Sequence, residues 1–356
     1  MLQYSQKILF TFGEVRRPFM KITINDVAKA AGVSKATVSR VLSNSERISD
    51  DTKRKVNDVI KNMGYIPNAT ARNLAKNSTK TIGIVIPMDA GSYFYNDFYI
   101  KLMQGISSLA QKKGYYIMYA FGNDKDEDKV IKDLCSKGVV DGIIMLKTEQ
   151  DDKTINYLAD RKFPFVVIGK PLEDNNVLWV DNDNYKIAYD LVCELIKNGH
   201  RKISFIGAQE KWMVYQERIK GYKKALADNN IQYDTNLVYC GEEFSDETGL
   251  AGIKEVLSKS DPTAVIAIDD LVAVGINKYF NMKSIRDKAL IGFNNTMLAN
   301  YQTPSISSVE IYGDKLGYYA AELLVNHLEK KDDASNYKII DSKIIYRQTY
   351  NSIIKK

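Results

Sequence analysis

The stretch at residues 24–42, INDVAKAAGVSKATVSRVL, constrains the fold more than any other part of the chain. Its apolar residues recur at helical spacing, and Thr23 in front of it is a residue type that caps helix starts. Gly32 can adopt the left-handed conformation that ends a helix, and Ser34 can cap a second helix at once. A third helix is expected after Ser49. The stretch therefore predicts a helix-turn-helix unit.

Charge is unevenly distributed between this segment and the rest of the chain. Residues 21–80 carry 12 Lys plus Arg against 5 Asp plus Glu, whereas residues 81–356 carry 35 against 38. A basic end attached to a mildly acidic body indicates a module that binds a polyanion, joined to a part that does not. The alternative is a basic helical face that is merely solvated.

A second motif, YIPNATARNLA, follows at residues 65–75. Together the two motifs resemble the lactose-repressor (LacI/GalR) family of bacterial transcription regulators, with DVAxxAGVSxxTVSRVL in the head and GYxPNxxARxL in the hinge. The resemblance implies a DNA-binding head at residues 21–66 and a hinge helix with linker at 67–80. Because Met20 stands where that family usually begins, residues 1–20 are expected to be a non-native or disordered extension.

The resemblance also assigns DNA contacts. It implies that Lys35, Ala36 and Arg40 read base edges in the major groove, where arginine can pair with guanine and alanine can touch a thymine methyl. Phosphate contacts fall on three residues: Thr37, Ser39 and Asn68. Thr37 and Ser39 are alternatively ordinary helix-surface residues.

The hinge segment is too short to be a stable helix in water by itself, because isolated helices below about 12 to 15 residues are marginal. In the resembled family, paired hinges fold on the operator and insert a leucine into the minor groove, which is Leu74 here. Such a wedge kinks the duplex. The resemblance thus implies a homodimer on pseudo-palindromic double-stranded DNA, with regulation through hinge spacing.

From Thr81 onwards, short apolar runs alternate with amphipathic helices, which is typical of doubly wound parallel sheets. Seven strands are predicted, too many for one compact sheet: Thr81–Pro87, Tyr115–Phe121, Asp141–Leu146, Phe165–Gly169, Ile203–Gly207, Thr263–Ile268 and Ala289–Phe293. The fold class is therefore α/β, with an all-α helix-turn-helix head and hinge helix preceding two such subdomains. Ligand is expected in the crevice beyond the carboxyl ends of the strands.

The resemblance identifies these subdomains as a periplasmic-binding-protein-like core for effector binding and dimerisation, at residues 81–356. It implies three chain crossings, near Asp181, Ile311 and Asp341. One subdomain would then cover about 81–180 and 312–340, and the other about 181–311 and 341–356.

The family pattern places effector contacts at six positions: Asn96, Phe98, Arg218, Phe244, Asp269 and Asn294. Asp270 fills a further polar position. The chain departs from the family where Asp269 replaces the usual Asn and where Asn294 and Asn295 replace two Asp. Aromatic, carboxylate, amide and guanidinium groups suit a neutral sugar. The Asn pair resembles maltose-type repressors and favours an α-glucoside inducer. A phosphosugar, a purine or a corepressor remains open, and Phe244 and Trp212 are alternatively ordinary core or rim aromatics.

Other functional classes fit the sequence poorly. The chain contains two histidines and lacks a GxxxxGKS or HExxH motif, so an enzyme is not expected. Cys135, Cys193 and Cys240 have no CxxC spacing, which argues against a zinc site, and no metal or cofactor is expected. No apolar run reaches the ~18 residues needed to span a membrane. A cytoplasmic protein is expected, and a sugar-binding receptor without DNA function is the distant alternative.

Overall fold

A computed structural model describes residues 22–65, 78–86, 96–122, 127–172, 177–331 and 335–350. The chain divides into two compact units, Met1–Asn77 and Ser78–Lys356. The described part of the first unit consists of helices α1 (Ile24–Ala31), α2 (Lys35–Leu42) and α3 (Asp50–Met63). The predicted extension at 1–20 and most of the predicted hinge lie outside the described residues.

Local chemistry delimits the three helices of the first unit. Thr23 and Asp26 form a capping box at the start of α1, in which the Thr23 amide donates to the Asp26 carboxylate at 2.8 Å. Gly32 ends α1 in the left-handed conformation, with φ of 64°. Ser34 then caps α2 by accepting the Thr37 amide at 3.1 Å. Since each cap satisfies otherwise unpaired backbone groups, helices of eight residues can begin and end where the sequence predicts.

A small apolar core holds these helices together. Val27, Val38 and Val56, one from each helix, are fully buried, and Tyr65 closes the core after α3. Full burial of an aliphatic side chain contributes about 1.5–3 kcal/mol, so the unit rests on few contacts and depends on its caps.

The second unit contains two six-stranded sheets with helices between the strands. The first sheet has the strand order β11-β5-β4-β3-β1-β2 and the second β12-β10-β9-β8-β6-β7. The strands are β1 (Thr81–Ile86), β2 (Tyr116–Phe121), β3 (Gly142–Met145), β4 (Phe165–Ile168), β5 (Leu178–Asp181), β6 (Ile203–Ala208), β7 (Val238–Gly241), β8 (Ala264–Ala267), β9 (Ala289–Phe293), β10 (Ser307–Glu310), β11 (Tyr337–Ile339) and β12 (Lys343–Ile345).

Helices connect the strands and cover the sheets. They are α4 (Asp97–Lys113), α5 (Glu127–Lys137), α6 (Lys153–Asp160), α7 (Asn184–Lys197), α8 (Met213–Asp228), α9 (Asp246–Lys259), α10 (Asp270–Met282), α11 (Met297–Asn300) and α12 (Gly313–Leu328). Every described strand pair is parallel except β10 with β12. The predicted doubly wound α/β class is confirmed.

The chain passes between the two sheets after β5, after β10 and after β11. Asn182 ties these three passages together, because its side-chain amide donates to the carbonyl of Ile311 at 3.1 Å and to that of Ile340 at 2.8 Å. Asn182 is buried, so these bonds fix the point from which both sheets extend.

All seven predicted strands are present, but five others were missed: β5, β7, β10, β11 and β12. The missed strands have three or four residues and lie at or next to a sheet edge. The predicted strands β3, β4 and β8 are equally short but buried along their whole length, whereas every missed strand has at least one exposed or half-buried residue. Partial exposure admits polar residues, so these segments give a weaker apolar signal. Within the described ranges, no helix is both long and apolar enough to cross a bilayer.

Candidate functional site

Helix α2 presents a polar and basic face to solvent. Lys35, Ala36, Ser39 and Arg40 are exposed, as their outward spacing predicts. Lys35 and Arg40 form no ion pair with any residue that the structure describes, so both charges are available to an anionic partner.

Thr37 differs from its neighbours because it belongs to the helix cap. Its hydroxyl lies 2.9 Å from that of Ser34, and its amide also donates to Ser34. The side chain is therefore half-buried and held in one orientation at the start of the helix. Asn68 and Leu74, the two predicted contacts from the hinge, lie outside the described residues.

The second unit contains a cavity of about 700 Å³, counting its open mouth. Its walls come from both sheets, at the positions that directly follow β3, β4, β8 and β9, together with Asp181 at the end of β5. This is the place where doubly wound sheets bind ligands, because the connecting loops converge there. All six residues predicted to contact an effector line the cavity: Asn96, Phe98, Arg218, Phe244, Asp269 and Asn294.

Arg218 is the central cation of this cavity and is only 3% exposed. It projects from α8, donates to the side-chain oxygen of Asn184 at 2.9 Å, and stacks on the ring of Phe293 at 3.8 Å. Burial lowers its pKa to about 10, although the nearby carboxylates of Asp181 and Asp269 favour the charged form. The guanidinium therefore stays protonated at neutral pH, with its position fixed before any ligand arrives.

One carboxylate oxygen of Asp269 has no hydrogen-bond donor among the described residues. One carboxylate oxygen caps α10 by accepting the Val272 amide at 2.8 Å. The other oxygen, Oδ2, is buried and accepts no hydrogen bond from the described residues. Burial raises the pKa of Asp269 to about 6, against the lowering effects of the Val272 amide and the Arg218 charge. An unpaired buried acceptor is costly, so a ligand hydroxyl that donates to it would be favoured.

Asp270, in contrast, has its hydrogen bonds satisfied within the protein. Its carboxylate accepts from the Ser308 hydroxyl at 2.6 Å and from the amide and hydroxyl of Thr296 at 2.7 and 2.9 Å. It is not among the residues that line the cavity. The expectation that Asp270 fills an effector position is therefore wrong, because the side chain points towards β10 and the turn before α11.

Asn294 and Asn295 occupy the turn after β9 with φ angles of 96° and 45°. Asparagine tolerates this region better than most residues, so the turn is compatible with the sequence. Asn294 lines the cavity, whereas Asn295 turns away and bonds to Glu310 at 2.7 Å and to Arg347. The two asparagines thus have different surroundings, one facing the cavity and one bonded within the turn.

The lining also includes residues that were not predicted as effector contacts, among them Lys147, Asp181 and Trp212. The Trp212 ring lies 5.0 Å from that of Phe244, so the two form one aromatic wall. Its indole Nε1 is buried without a hydrogen-bond partner among the described residues. Lys147 could have been predicted from the sequence. It lies two residues after the end of a buried strand, and parallel sheets place their binding loops there.

Direct hydrogen bonds cross the cleft on both sides of the cavity. On one side, Lys101 of α4 donates to the carbonyl of Asn295 at 2.8 Å, and the Met297 amide donates to Asp97 at 2.9 Å. On the other side, the Met213 amide donates to the carbonyl of Thr148 at 2.9 Å. These bonds connect the halves built on the two sheets directly, on both sides of the cavity.

Comparison with known proteins identifies the family. A model described as bacterial regulatory proteins, lacI family, matches residues 23–68, and one described as a periplasmic binding protein-like domain matches residues 192–350. The HTH-type transcriptional regulator MalR of Streptococcus pneumoniae is 35% identical over 341 residues, which span 95% of this chain and 100% of the relative. The chain belongs to the LacI family. It is a DNA-binding transcriptional regulator and not an enzyme.

Solved structures agree with this membership of the LacI family. A complex of the transcriptional regulator CelR with cellobiose has a TM-score of 0.73 and 27% identity, and covers 92% of this chain and 100% of that one. The lac repressor dimer bound to operator has a TM-score of 0.79, covering 92% and 98%, but at 20% identity it supports the fold alone.

Against this LacI-family background, the geometry explains the two departures in the sequence. Asp269 keeps the capping role that an asparagine could also perform, and adds a charge that faces Arg218. Asn294 is uncharged where the family pattern has an aspartate, so the turn after β9 contributes an amide and no carboxylate to the cavity lining.

Proposed function

We propose that this LacI-family regulator reads its operator through α2, with Lys35, Ala36 and Arg40 at base edges in the major groove. Thr37 and Ser39 contact phosphates. The exposure of this face and its unpaired cations support the assignment. Arginine paired with guanine is the commonest specific contact in the major groove, so Arg40 carries most of the operator choice.

We further propose that the segment at 67–80 is the hinge, with Asn68 at a phosphate and Leu74 as the minor-groove wedge. The family motif at residues 65–75 supports this assignment. The effector core then divides at the chain passages between the sheets, into about 81–180 with 312–340 and about 181–311 with 341–356.

A homodimer on a pseudo-palindromic operator follows from the exposed apolar surface. Edge strand β2 exposes Tyr116 by 71% and Tyr119 by 46%, and the region of α11 exposes Met297 and Tyr301. Large exposed apolar side chains that cluster in this way are typical of interaction surfaces. A second copy of the chain is the occupant that two operator half-sites require. The protein acts in the cytoplasm, where bacterial DNA lies.

The effector that we propose is a neutral disaccharide of the maltose type, which releases the repressor from its operator. The proposal rests on two residues of one cavity whose buried polar atoms have no hydrogen-bond partner among the described residues. Oδ2 of Asp269 can accept a hydrogen bond from a sugar hydroxyl, and the indole Nε1 of Trp212 can donate one. Phe98, Trp212 and Phe244 supply flat apolar surfaces that suit sugar rings. The similarity to MalR and to a CelR–cellobiose complex supports the same class.

Selection from a random pool of duplexes, followed by binding measurements at two salt concentrations, tests the proposal. The full chain should select a pseudo-palindromic sequence and bind it with a steep salt dependence, as phosphate contacts require. Maltose should weaken this binding, and lactose serves as the matched control. No selected sequence would exclude the DNA assignment. Operator binding that is unaffected by maltose and cellobiose would exclude the disaccharide assignment alone.

A further inference from the structure

Lys147 is a second buried cation in the wall of the effector cavity. Its side chain is 5% exposed, and its ammonium lies 5.5 Å from the centre of the Trp212 ring. Two carboxylates hold it, Glu127 at 3.1 Å and Glu149 at 2.5 Å. Glu127 comes from the first turn of α5, whereas Glu149 follows β3 in the same loop as the lysine.

The two glutamates keep Lys147 in its protonated form. Burial alone would lower the pKa of Lys147, but the charges and hydrogen bonds of Glu127 and Glu149 outweigh it and raise that pKa, so the ammonium stays protonated. Glu149 also pairs with Lys211 at 3.3 Å on the more exposed side. Burial raises the pKa of Glu127, and Lys147 opposes this effect, so each partner favours the charged form of the other.

The cavity therefore contains two cations, each with carboxylates nearby. Arg218 donates to Asn184 and to the Ile268 carbonyl and feels the charges of Asp181 and Asp269, whereas Lys147 forms ion pairs with Glu127 and Glu149. A phosphate group brings up to two negative charges and binds where cations are in excess. Placing it beside these carboxylates would set like charges together, which costs several kcal/mol in a desolvated site.

We propose that Glu127 and Glu149 determine effector specificity, by neutralising Lys147 so that the cavity accepts a neutral sugar and rejects a phosphorylated one. This inference rests on the proposed sugar-binding function of the same cavity. The pair acts by repulsion of the wrong ligand rather than by attraction of the right one, which is a common way to achieve specificity. Removing one or both carboxylates uncovers the Lys147 cation and creates a phosphate subsite beside Trp212.

Calorimetric titration of the full-length protein tests this proposal with three probes: maltose, glucose 6-phosphate and inorganic phosphate. The variants are Glu149→Gln, Glu127→Gln and the double variant. Glu255→Gln is the matched control, because Glu255 pairs with Lys259 at 2.7 Å on α9 and is not among the cavity-lining residues. The wild type and the control should bind neither phosphate probe. The glutamine variants should gain at least about tenfold in affinity for glucose 6-phosphate, while maltose affinity changes by less than about threefold.

Adding Lys147→Met to Glu149→Gln should abolish the gain, because the uncovered cation is then absent. Wild-type protein that binds glucose 6-phosphate as tightly as the variants would overturn the proposal, as would folded variants with no gain. If circular dichroism shows that both single variants fail to fold, the pair is purely structural and the proposal is also wrong. A gain for the phosphate probes in variants whose parent ignores maltose would refute the disaccharide effector while supporting the role of the two glutamates.

Discussion

The two units of this protein build their binding residues in opposite ways. In the head, the candidate DNA contacts on α2 fall within residues 35–40 and are mostly exposed. In the core, the candidate effector contacts range from Asn96 to Asn294, and the charged ones are almost completely buried. One correctly capped helix is therefore enough to bring the DNA-binding residues together. The effector-binding residues come together only when the whole core has folded.

This difference has energetic consequences. Exposed side chains such as Lys35 and Arg40 remain solvated and contribute little to folding. Arg218 and the carboxylates around it are buried together, so removing one partner leaves the others without compensation. Substitutions at the DNA-binding face should therefore change binding alone, and substitutions in the cavity should change both binding and stability.

The largest expected effect belongs to Arg218→Met. The substitution leaves two buried acceptors, the Asn184 side chain and the Ile268 carbonyl, without their donor, and an unsatisfied buried group costs about 1–3 kcal/mol, so the free energy of unfolding should fall by about 2–6 kcal/mol. Urea denaturation of the full chain measures this loss, and maltose binding should disappear. Arg201→Met is the control, since Arg201 is exposed and makes one hydrogen bond to a carbonyl. Equal stability of the two variants would contradict the contrast between the units.

Arg40→Ala tests the other side of the comparison. Loss of a bidentate contact to guanine should reduce the discrimination between operator and mutated operator by about 1–3 kcal/mol. Stability and maltose affinity should not change, because the side chain is exposed. Competition binding with paired duplexes provides the measurement. Arg54→Ala is the control, because Arg54 lies on α3 and pairs with Asp51 at 2.8 Å. A comparable loss of discrimination in the control would remove Arg40 from its proposed role.

The dependence of effector binding on pH sharpens the role of Asp269. Burial raises its pKa to about 6, so the carboxylate is ionised above that pH and takes up a proton below it. A sugar hydroxyl that donates to Oδ2 needs the ionised form. Maltose affinity should therefore be constant above about pH 7 and fall by about tenfold for each pH unit below about 6.

Asp269→Asn supplies the control for this pH dependence. Asparagine can still accept the Val272 amide and cap α10, but it does not titrate. Its affinity for maltose should be the same at about pH 5 and about pH 7.5. A variant that retains the wild-type pH profile would assign the titration to Asp181 or Asp270 instead.

Ser34→Ala should reveal how much the head depends on its caps. Loss of the bond from the Thr37 amide should lower the stability of the head by about 1 kcal/mol. Thermal melting of the full chain, followed by a probe in the head, measures this change. Ser39→Ala should not lower stability, because Ser39 is exposed and lies within α2. A head that melts equally in both variants would show that the cap is dispensable.

The smallest effect is expected from the bonds across the cleft. Lys101→Met removes two hydrogen bonds to the carbonyls of Asn294 and Asn295, at 3.3 and 2.8 Å. The cleft should lose about 0.5 kcal/mol of the stability of this arrangement, at the low end for a net hydrogen bond because the ammonium can be solvated instead, which weakens maltose binding by about twofold. Calorimetry measures the change, with Lys112→Met on the exposed side of α4 as control. Unchanged affinity in Lys101→Met would mean that these bonds do not stabilise closure.

Features whose causes lie within a few residues could be predicted from the amino-acid sequence alone. Thr23, Gly32 and Ser34 delimit α1 and α2 through their own backbone preferences, so the helix-turn-helix unit was readable directly. The seven predicted strands lie in almost continuous apolar runs, which made them recognisable. The six residues that the family resemblance assigns to effector binding all line one cavity, and their contact with an effector stays a prediction.

The partners of the buried charges, in contrast, depend on how the whole chain folds. Asp269 and Asp270 are adjacent and chemically identical, yet one faces the cavity and the other bonds to Thr296 and Ser308. Lys147 and Trp212 meet because loops that follow β3 and β6 converge at the cleft. Strand β11 has three residues and exists through its pairing with β5. Contacts between residues far apart in the chain depend on topology, and no local preference encodes them.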